Sequence, residues 1–220
     1  MDTKRAVTGP ASQFEAGWDA LQLAVDQVVS QIRTLSGEGA PVHDLLAELM
    51  PIPYWRAKQL VKSDVDVHSS NNPGPIGGLF LERFAGAAVV SYVRARVPDV
   101  QVGVNCFVPS CRGGLEGLPK QPDLHLHSNG RHAVFEFKTS PKKRDFDSVQ
   151  ESHDRCRSAG VEYYFVAGEP SGSPAQIDHL VSQSWTTILM YKGRRDHPWI
   201  GKSPSFDQLL IDCVSKLLTP

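Results

Sequence analysis

The chain has 220 residues, 40% hydrophobic and 21% charged, a composition of globular rather than disordered proteins. Lys and Arg total 23 against 24 for Asp and Glu, a net charge of -1, which excludes a generally basic nucleic-acid coat but not a local basic surface. No apolar run approaches the roughly 18–20 residues of a membrane span, no signal-peptide core follows Met1, and four scattered cysteines make no disulfide framework, so a reduced cytoplasmic protein is expected.

Along the chain, Trp18, Leu21, Val25, Val28, Ile32 and Leu35 recur at steps of three and four, predicting a helix that ends at Gly37-Glu38-Gly39. Shorter helices are expected at 43–50 and 54–62, separated by Pro51 and Pro53. The run Ser69 to Pro75 is a loop by composition, a seam between a helical N-terminal part (1–70) and the remainder (71–220). The first part is acidic on balance and the second basic. Beyond the seam the pattern predicts a helix over Ile76–Arg96, a strand over Val100–Val108 and a glycine-rich loop from Cys111 to Gly117. Strands are expected at Asp123–His127 and His132–Thr139, a helix at Lys142–Ala159 and a strand at Val161–Ala167. A mixed segment at 176–193 and an amphipathic helix at Phe206–Leu218 complete the reading. The fold class is α/β, a central mixed β-sheet flanked by helices, with a helical N-terminal part.

The most informative stretch runs from Pro122 to Lys138. Asn129-Gly130 between two strand-like runs predicts a two-residue hairpin turn, because both central residues of a type I′ turn need positive φ. Ser128 then faces Arg131, and counting outward places Asp123 opposite Glu136. Alternation puts Leu124, Leu126, Ala133, Phe135 and Phe137 on one apolar face, and Asp123, Glu136 and Lys138 on the other. Opposed carboxylates repel unless a cation sits between them, and hard divalent cations take carboxylate oxygens. On the helix from Ile76, Glu82 interrupts a stripe of Leu79, Gly86, Val89 and Val93, where a carboxylate is costly unless paired or on a metal. The alternative is a boundary residue leaning to solvent.

Pro122-Asp123 followed thirteen positions later by Glu136-Phe137-Lys138, within a helix–strand–strand–strand–helix–strand order, resembles the PD-(D/E)XK nuclease superfamily over roughly residues 70–168. The resemblance implies a restriction-endonuclease-like core over 71–220 with a C-terminal extension, and hydrolysis of phosphodiester bonds. Asp123, Glu136 and the carbonyl of Phe137 would hold Mg²⁺, Lys138 would orient the attacking water and offset charge on phosphorus, and Glu82 would assist. The implied activity is that of a type II restriction endonuclease on double-stranded DNA, acting as a homodimer. Alternatives are a repair or junction-resolvase-like nuclease of the same core, and a DNA-binding module that does not cut.

Candidate DNA contacts are Asn72 ahead of a helix N-terminus, Arg112 in the glycine-rich loop, Lys142, Lys143 and Arg144 after the second hairpin strand, and Arg194 and Arg195. A zinc site of Cys106, Cys111, His125 and His127 has ligand types zinc accepts, but Cys-x4-Cys then His-x-His departs from short-knuckle spacing. Histidines that line the cleft or are hydrated, with Cys106 packed in its strand, are the expectation.

Overall fold

The computed structural model describes residues 74–219 except 109, 112–114, 116–117, 119–121, 139–140, 169, 171–172 and 190–201, with backbone alone at 74–80, 83–84 and 143–144. The three N-terminal helices read from the sequence lie outside the described residues. Beyond the seam the chain forms α1 (Gly74–Arg94), β1 (Gln101–Val104), β2 (Leu124–Ser128), β3 (Arg131–Lys138), α2 (Lys143–Ser158), β4 (Val161–Ala167), α3 (Pro174–Val181), β5 (Thr186–Ile188) and α4 (Phe206–Leu218). This is an α/β fold. The five strands form one mixed sheet in the order β1-β2-β3-β4-β5, antiparallel through β3 and parallel from β3 to β5. Among the described residues no helix is long and apolar enough to cross a membrane.

The hairpin register matches the residue pattern. Asn129 and Gly130 have φ of 52° and 73°, as the turn demands, and Ser128 pairs with Arg131 through to Leu124 with Phe135. The turn is also anchored. Asn129 donates from Nδ2 to the carbonyl of Leu217 at 3.2 Å, satisfying a carbonyl that the C-terminus of α4 leaves without a helical partner.

Helices cover both faces of the sheet. On one, α1 and α4 pack over Leu124, Leu126, Ala133, Phe135, Phe137, Tyr164 and Val166. The buried stripe of α1 is centred on Leu81, Ala85, Ala88, Val89, Tyr92 and Val93. Gly86 lies flat against Phe137, where a Cβ would sit 3.8 Å from the ring. Glu82 is therefore at the margin of the stripe and half-buried, rather than in its centre. On the other face, α2 and α3 pack over Val134, Tyr163, Phe165 and Ala167, joined by Val108, Cys111 and Leu115 from the β1–β2 connection. The hairpin face read as polar is thus the floor of a second core.

The first strand ends earlier than its composition suggests. Asn105 takes a left-handed φ of 53° and turns the chain out of the sheet after Val104, so that 105–108 folds back over β1. Gly103 permits that return: a Cβ there would lie 2.4 Å from the carbonyl oxygen of Cys106. Cys106 consequently lies past the end of the strand and is half-buried, where strand packing was expected. Of the segment at 176–193, the described residues, which run to Leu189, include most of α3 and all of β5. Its helix begins at Pro174, preceded by Ser173, whose backbone N–H donates to Gln176 Oε1 at 3.1 Å.

Candidate functional site

Strand β3 runs three residues beyond the last paired residue of β2, and the site is built on that overhang. Asp123 sits in a bend ahead of β2, where the sequence pattern had placed it inside the strand. Its backbone carbonyl accepts from Asn105 N–H at 2.9 Å. Its carboxylate oxygen Oδ2 accepts from the backbone N–H of Phe137 at 2.8 Å, standing in for the strand carbonyl that would have met that group had β2 continued. Asp123 therefore completes the ladder and delivers a carboxylate beside β3.

Glu136 and Lys138 project from β3 on the α2 side. Glu136 Oε2 accepts from the hydroxyl of Tyr163 at 2.8 Å, and Oε1 lies 3.3 Å from Lys138 Nζ. The parallel register places Glu136 beside Phe165 and Lys138 beside Ala167. Asp123, Glu136 and Lys138 line one cavity of about 190 Å³ with Tyr163, Cys156 of α2 and Phe107 of the β1–β2 connection. Burial, then the charge of Glu136, raises the Tyr163 hydroxyl well above its usual range, so it stays a donor. The same two causes push the Cys156 thiol up to about 11. No thiolate nucleophile is available there at neutral pH.

Of the other predicted site residues, Glu82 is on α1, which covers the opposite face, one turn before the contact of Gly86 with Phe137. Lys142 is exposed immediately ahead of α2, its backbone N–H donating to Asp145 Oδ2 at 2.7 Å. Lys143 and Arg144 occupy the first turn of α2, close in sequence to the end of β3. Asn72, Arg112, Arg194 and Arg195 lie outside the described residues.

A second polar cluster occupies the turn end of the same hairpin face. His127 and His132 are direct partners across the strands, their rings stacked with centroids 4.7 Å apart. His125 and His127 were expected to line the cleft or to be hydrated, whereas His125 is fully buried. Its Nδ1 accepts from Val108 N–H at 2.9 Å, which leaves the proton of the neutral ring on Nε2, 3.2 Å from His132 Nδ1. Burial, followed by the neighbouring His132 and His127, lowers the pKa of His125 to about 4. Burial and then His127 lower that of His132 as well. Cys111 reaches this cluster from the connection above. Its sulfur and one ring nitrogen from each of His127 and His132 all lie within 4.8 Å of one another. Cys106 and His125, which the sequence grouped with Cys111 and His127, are not in that set, and His132 is. The hairpin register that opposed Asp123 and Glu136 also opposes His127 and His132, so this signal was present in the sequence.

Comparison of the chain with known protein families, with curated proteins and with solved structures finds no match to any of them.

Proposed function

We propose that the chain is a Mg²⁺-dependent endonuclease that hydrolyses phosphodiester bonds in duplex DNA, of the type II restriction kind, with a PD-(D/E)XK core and two copies acting together. The observation that carries this reading is the convergence of Asp123, Glu136 and Lys138 on one cavity at the end of β3. The donor set fits Mg²⁺: two hard carboxylate oxygen donors, with the neighbouring thiol and phenol protonated and uncompetitive. Asp123, Glu136 and the carbonyl of Phe137 would hold the ion. When bound, it acidifies water and polarises a phosphate oxygen.

The chain's own residues do the rest. Tyr163 fixes one oxygen of Glu136 and so orients that carboxylate. Lys138, tethered 3.3 Å from Glu136, supplies a positive charge where negative charge grows on the phosphoryl oxygens, and positions the attacking water. The Asp123 link to Phe137 N–H holds the first carboxylate rigidly against the strand carrying the second. Lys142, Lys143 and Arg144, at and just before the start of α2, would meet the DNA backbone. Symmetric cutting of both strands is achieved most simply by a homodimer.

A second reading, a DNA-binding module that does not cut, is favoured by one feature. Both oxygens of Glu136 already have protein partners, Tyr163 and Lys138, so the carboxylate is stabilised without an ion. Digestion of a large mixed-sequence duplex and of a branched DNA by the full chain, with Mg²⁺ and with chelator, beside a binding titration on the same DNAs, separates these readings. Mg²⁺-dependent fragments with recurring end sequences are expected. Binding without cleavage would establish the second reading, cleavage confined to branched DNA a resolvase-like enzyme, and neither binding nor cleavage would overturn the proposal.

A further inference from the structure

We infer that Cys111, His127 and His132 form a binding site for a zinc-type divalent transition metal that pins the β1–β2 connection to the turn end of the hairpin. The site is independent of the nuclease reading and uses other residues. Three donor atoms lie within 4.8 Å of one another. Zinc bonds of about 2.0–2.1 Å to nitrogen and 2.3 Å to sulfur place ligand atoms roughly 3.5 Å apart, so closure needs about an ångström of side-chain movement. The two histidines are presented by rigid, directly paired positions on either side of a two-residue turn, with rings already stacked. The backbone therefore fixes two of three ligands before any ion arrives.

The donor chemistry selects the metal. One sulfur and two imidazoles suit Zn²⁺, Co²⁺ or copper and disfavour Mg²⁺ and Ca²⁺, which want oxygen. Surrounding groups help. Gln101 Oε1 can only accept, and it lies 3.4 Å from His127 Nδ1, so that contact requires the proton on Nδ1 and leaves the Nε2 lone pair for an ion. Gln101 Oε1 also accepts from Ser110 Oγ at 2.8 Å, and Ser110 Oγ is 3.7 Å from Cys111 Sγ, so one amide oxygen meets one ligand, His127, and the residue beside another, Cys111. His132 Nδ1 faces the Nε2–H of His125 at 3.2 Å, and ligation by His132 exchanges that hydrogen bond for a coordinate bond. The thiol of Cys111 gives up its proton to solvent as the ion binds. The consequence is a staple between segments distant in sequence, and the connection it holds also carries Phe107 and Leu118, which line the cavity of Asp123 and Glu136.

The test uses the full chain without an affinity tag, stripped with chelator and titrated with Co²⁺ and then Zn²⁺. One equivalent of Co²⁺ should give the visible bands of a tetrahedral ion and a thiolate-to-cobalt charge-transfer band, both erased by Zn²⁺. Cys111→Ser should lose the charge-transfer band, and His132→Gln should keep it while weakening Zn²⁺ binding by about 100-fold or more, since loss of a ligand exceeds the 10- to 100-fold cost of an outer-shell change. Cys106→Ser should match the parent. Failure of the parent chain to bind stoichiometric Zn²⁺ would overturn the site, as would a charge-transfer band that survives Cys111→Ser or vanishes in Cys106→Ser. Should Cys111→Ser fail to fold by near-ultraviolet circular dichroism, the half-buried His132 and its Gln variant decide the matter.

Discussion

The β2–β3 hairpin carries a polar cluster at each end of one sheet face, and the two are held by opposite means. At the open end the ladder has stopped, and side chains finish what the backbone began: Asp123 takes the Phe137 N–H, and Glu136 is held between Tyr163 and Lys138. Each carboxylate there has donors and a cavity beside it. At the turn end both strands remain paired, a returning loop roofs the face, and the polar groups are imidazoles. Burial keeps His125 neutral down to about pH 4. Charged groups thus occupy the place where the sheet frays toward a cavity, and neutral titratable groups the place where it does not. A site that must meet a hard cation or a phosphate belongs at the first end, and one that binds soft metals through lone pairs belongs at the second.

The largest expected effect breaks the open end. Asp123→Ala should abolish Mg²⁺-dependent cleavage, because a few kcal/mol of transition-state stabilisation equals several factors of ten in rate. It should also lower stability by about 1–3 kcal/mol, since Phe137 N–H loses its acceptor. Asp123→Asn parts the two effects: the amide oxygen still accepts from Phe137, so stability measured by urea unfolding should stay near the parent while cleavage is lost. An Asn variant that cuts normally would remove Asp123 from the chemistry.

The next effect concerns pH at the turn end, read with chelator present. His125 has a folded-state pKa lowered from 6.5 to about 4, so between these values the unfolded chain binds the extra proton and the folded chain does not. The stability associated with neutral His125 is therefore full above about pH 6.5 and is lost as pH falls toward 4, by up to about 3 kcal/mol at 1.36 kcal/mol per pH unit. His132, lowered for the same leading reason, adds in the same direction. Urea midpoints from pH 7.5 to 4.5 should show the decline, and His125→Gln should flatten it. Equal slopes in the two proteins would mean that other groups titrate.

A smaller effect tests the roof over the histidines. In Gly103→Ala the new Cβ would meet the Cys106 carbonyl and the Val108 nitrogen, both backbone, so the loop itself must shift. The Val108 N–H that fixes His125 moves with it. A loss of about 1–3 kcal/mol is expected, as for an overpacked site. Amide exchange at Val108 should accelerate while that at Phe137, at the other end of the face, should not.

Much of this contrast was legible in the residues and some was not. The Asn129-Gly130 turn fixed the register, which opposed His127 to His132 as observed; the pairing it extended to Asp123 and Glu136 stops one step short, at Leu124 and Phe135. Alternation assigned the two faces correctly, and the stripe Phe206 to Leu218 marked the last helix at its observed bounds. What alternation could not supply was the fate of the second face, because His125, Val134 and Glu136 alternate with apolar residues whether solvent or another layer lies above them. The covering depends on α2, α3 and the return at Asn105, all contacts remote in sequence. The early end of β1 did leave a trace: Gly103 and Asn105 are both disfavoured in strands and Asn is among the few residues that adopt a left-handed φ readily, but the apolar alternation of Val100, Val102, Val104, Cys106 and Val108 runs on past them. Cys111 was grouped with Cys106, His125 and His127 only as a disfavoured zinc set, because nothing local aims its loop at the paired His127 and His132.

The smallest effect sharpens the open end by asking which work Tyr163 does there. Its hydroxyl donates to Glu136 and, being raised well above its usual pKa, has no acid–base role near neutrality. Tyr163→Phe keeps the ring, which packs edge-on to Trp185 with centroids 5.6 Å apart, and deletes one hydrogen bond to a charged acceptor. The hydrogen bond to a half-buried carboxylate is worth about 1.5–3 kcal/mol, of which Lys138 and cavity water recover part, so a net loss of about 1 kcal/mol is expected. The kinetic signature is more telling than the stability. If Tyr163 only orients Glu136, kcat should fall modestly, the pH profile should keep its shape, and higher Mg²⁺ should restore part of the rate, because the freed oxygen is available to the ion. A rate that falls by orders of magnitude and ignores Mg²⁺ would make the phenol a direct participant, and would move the boundary of the site from β3 onto β4.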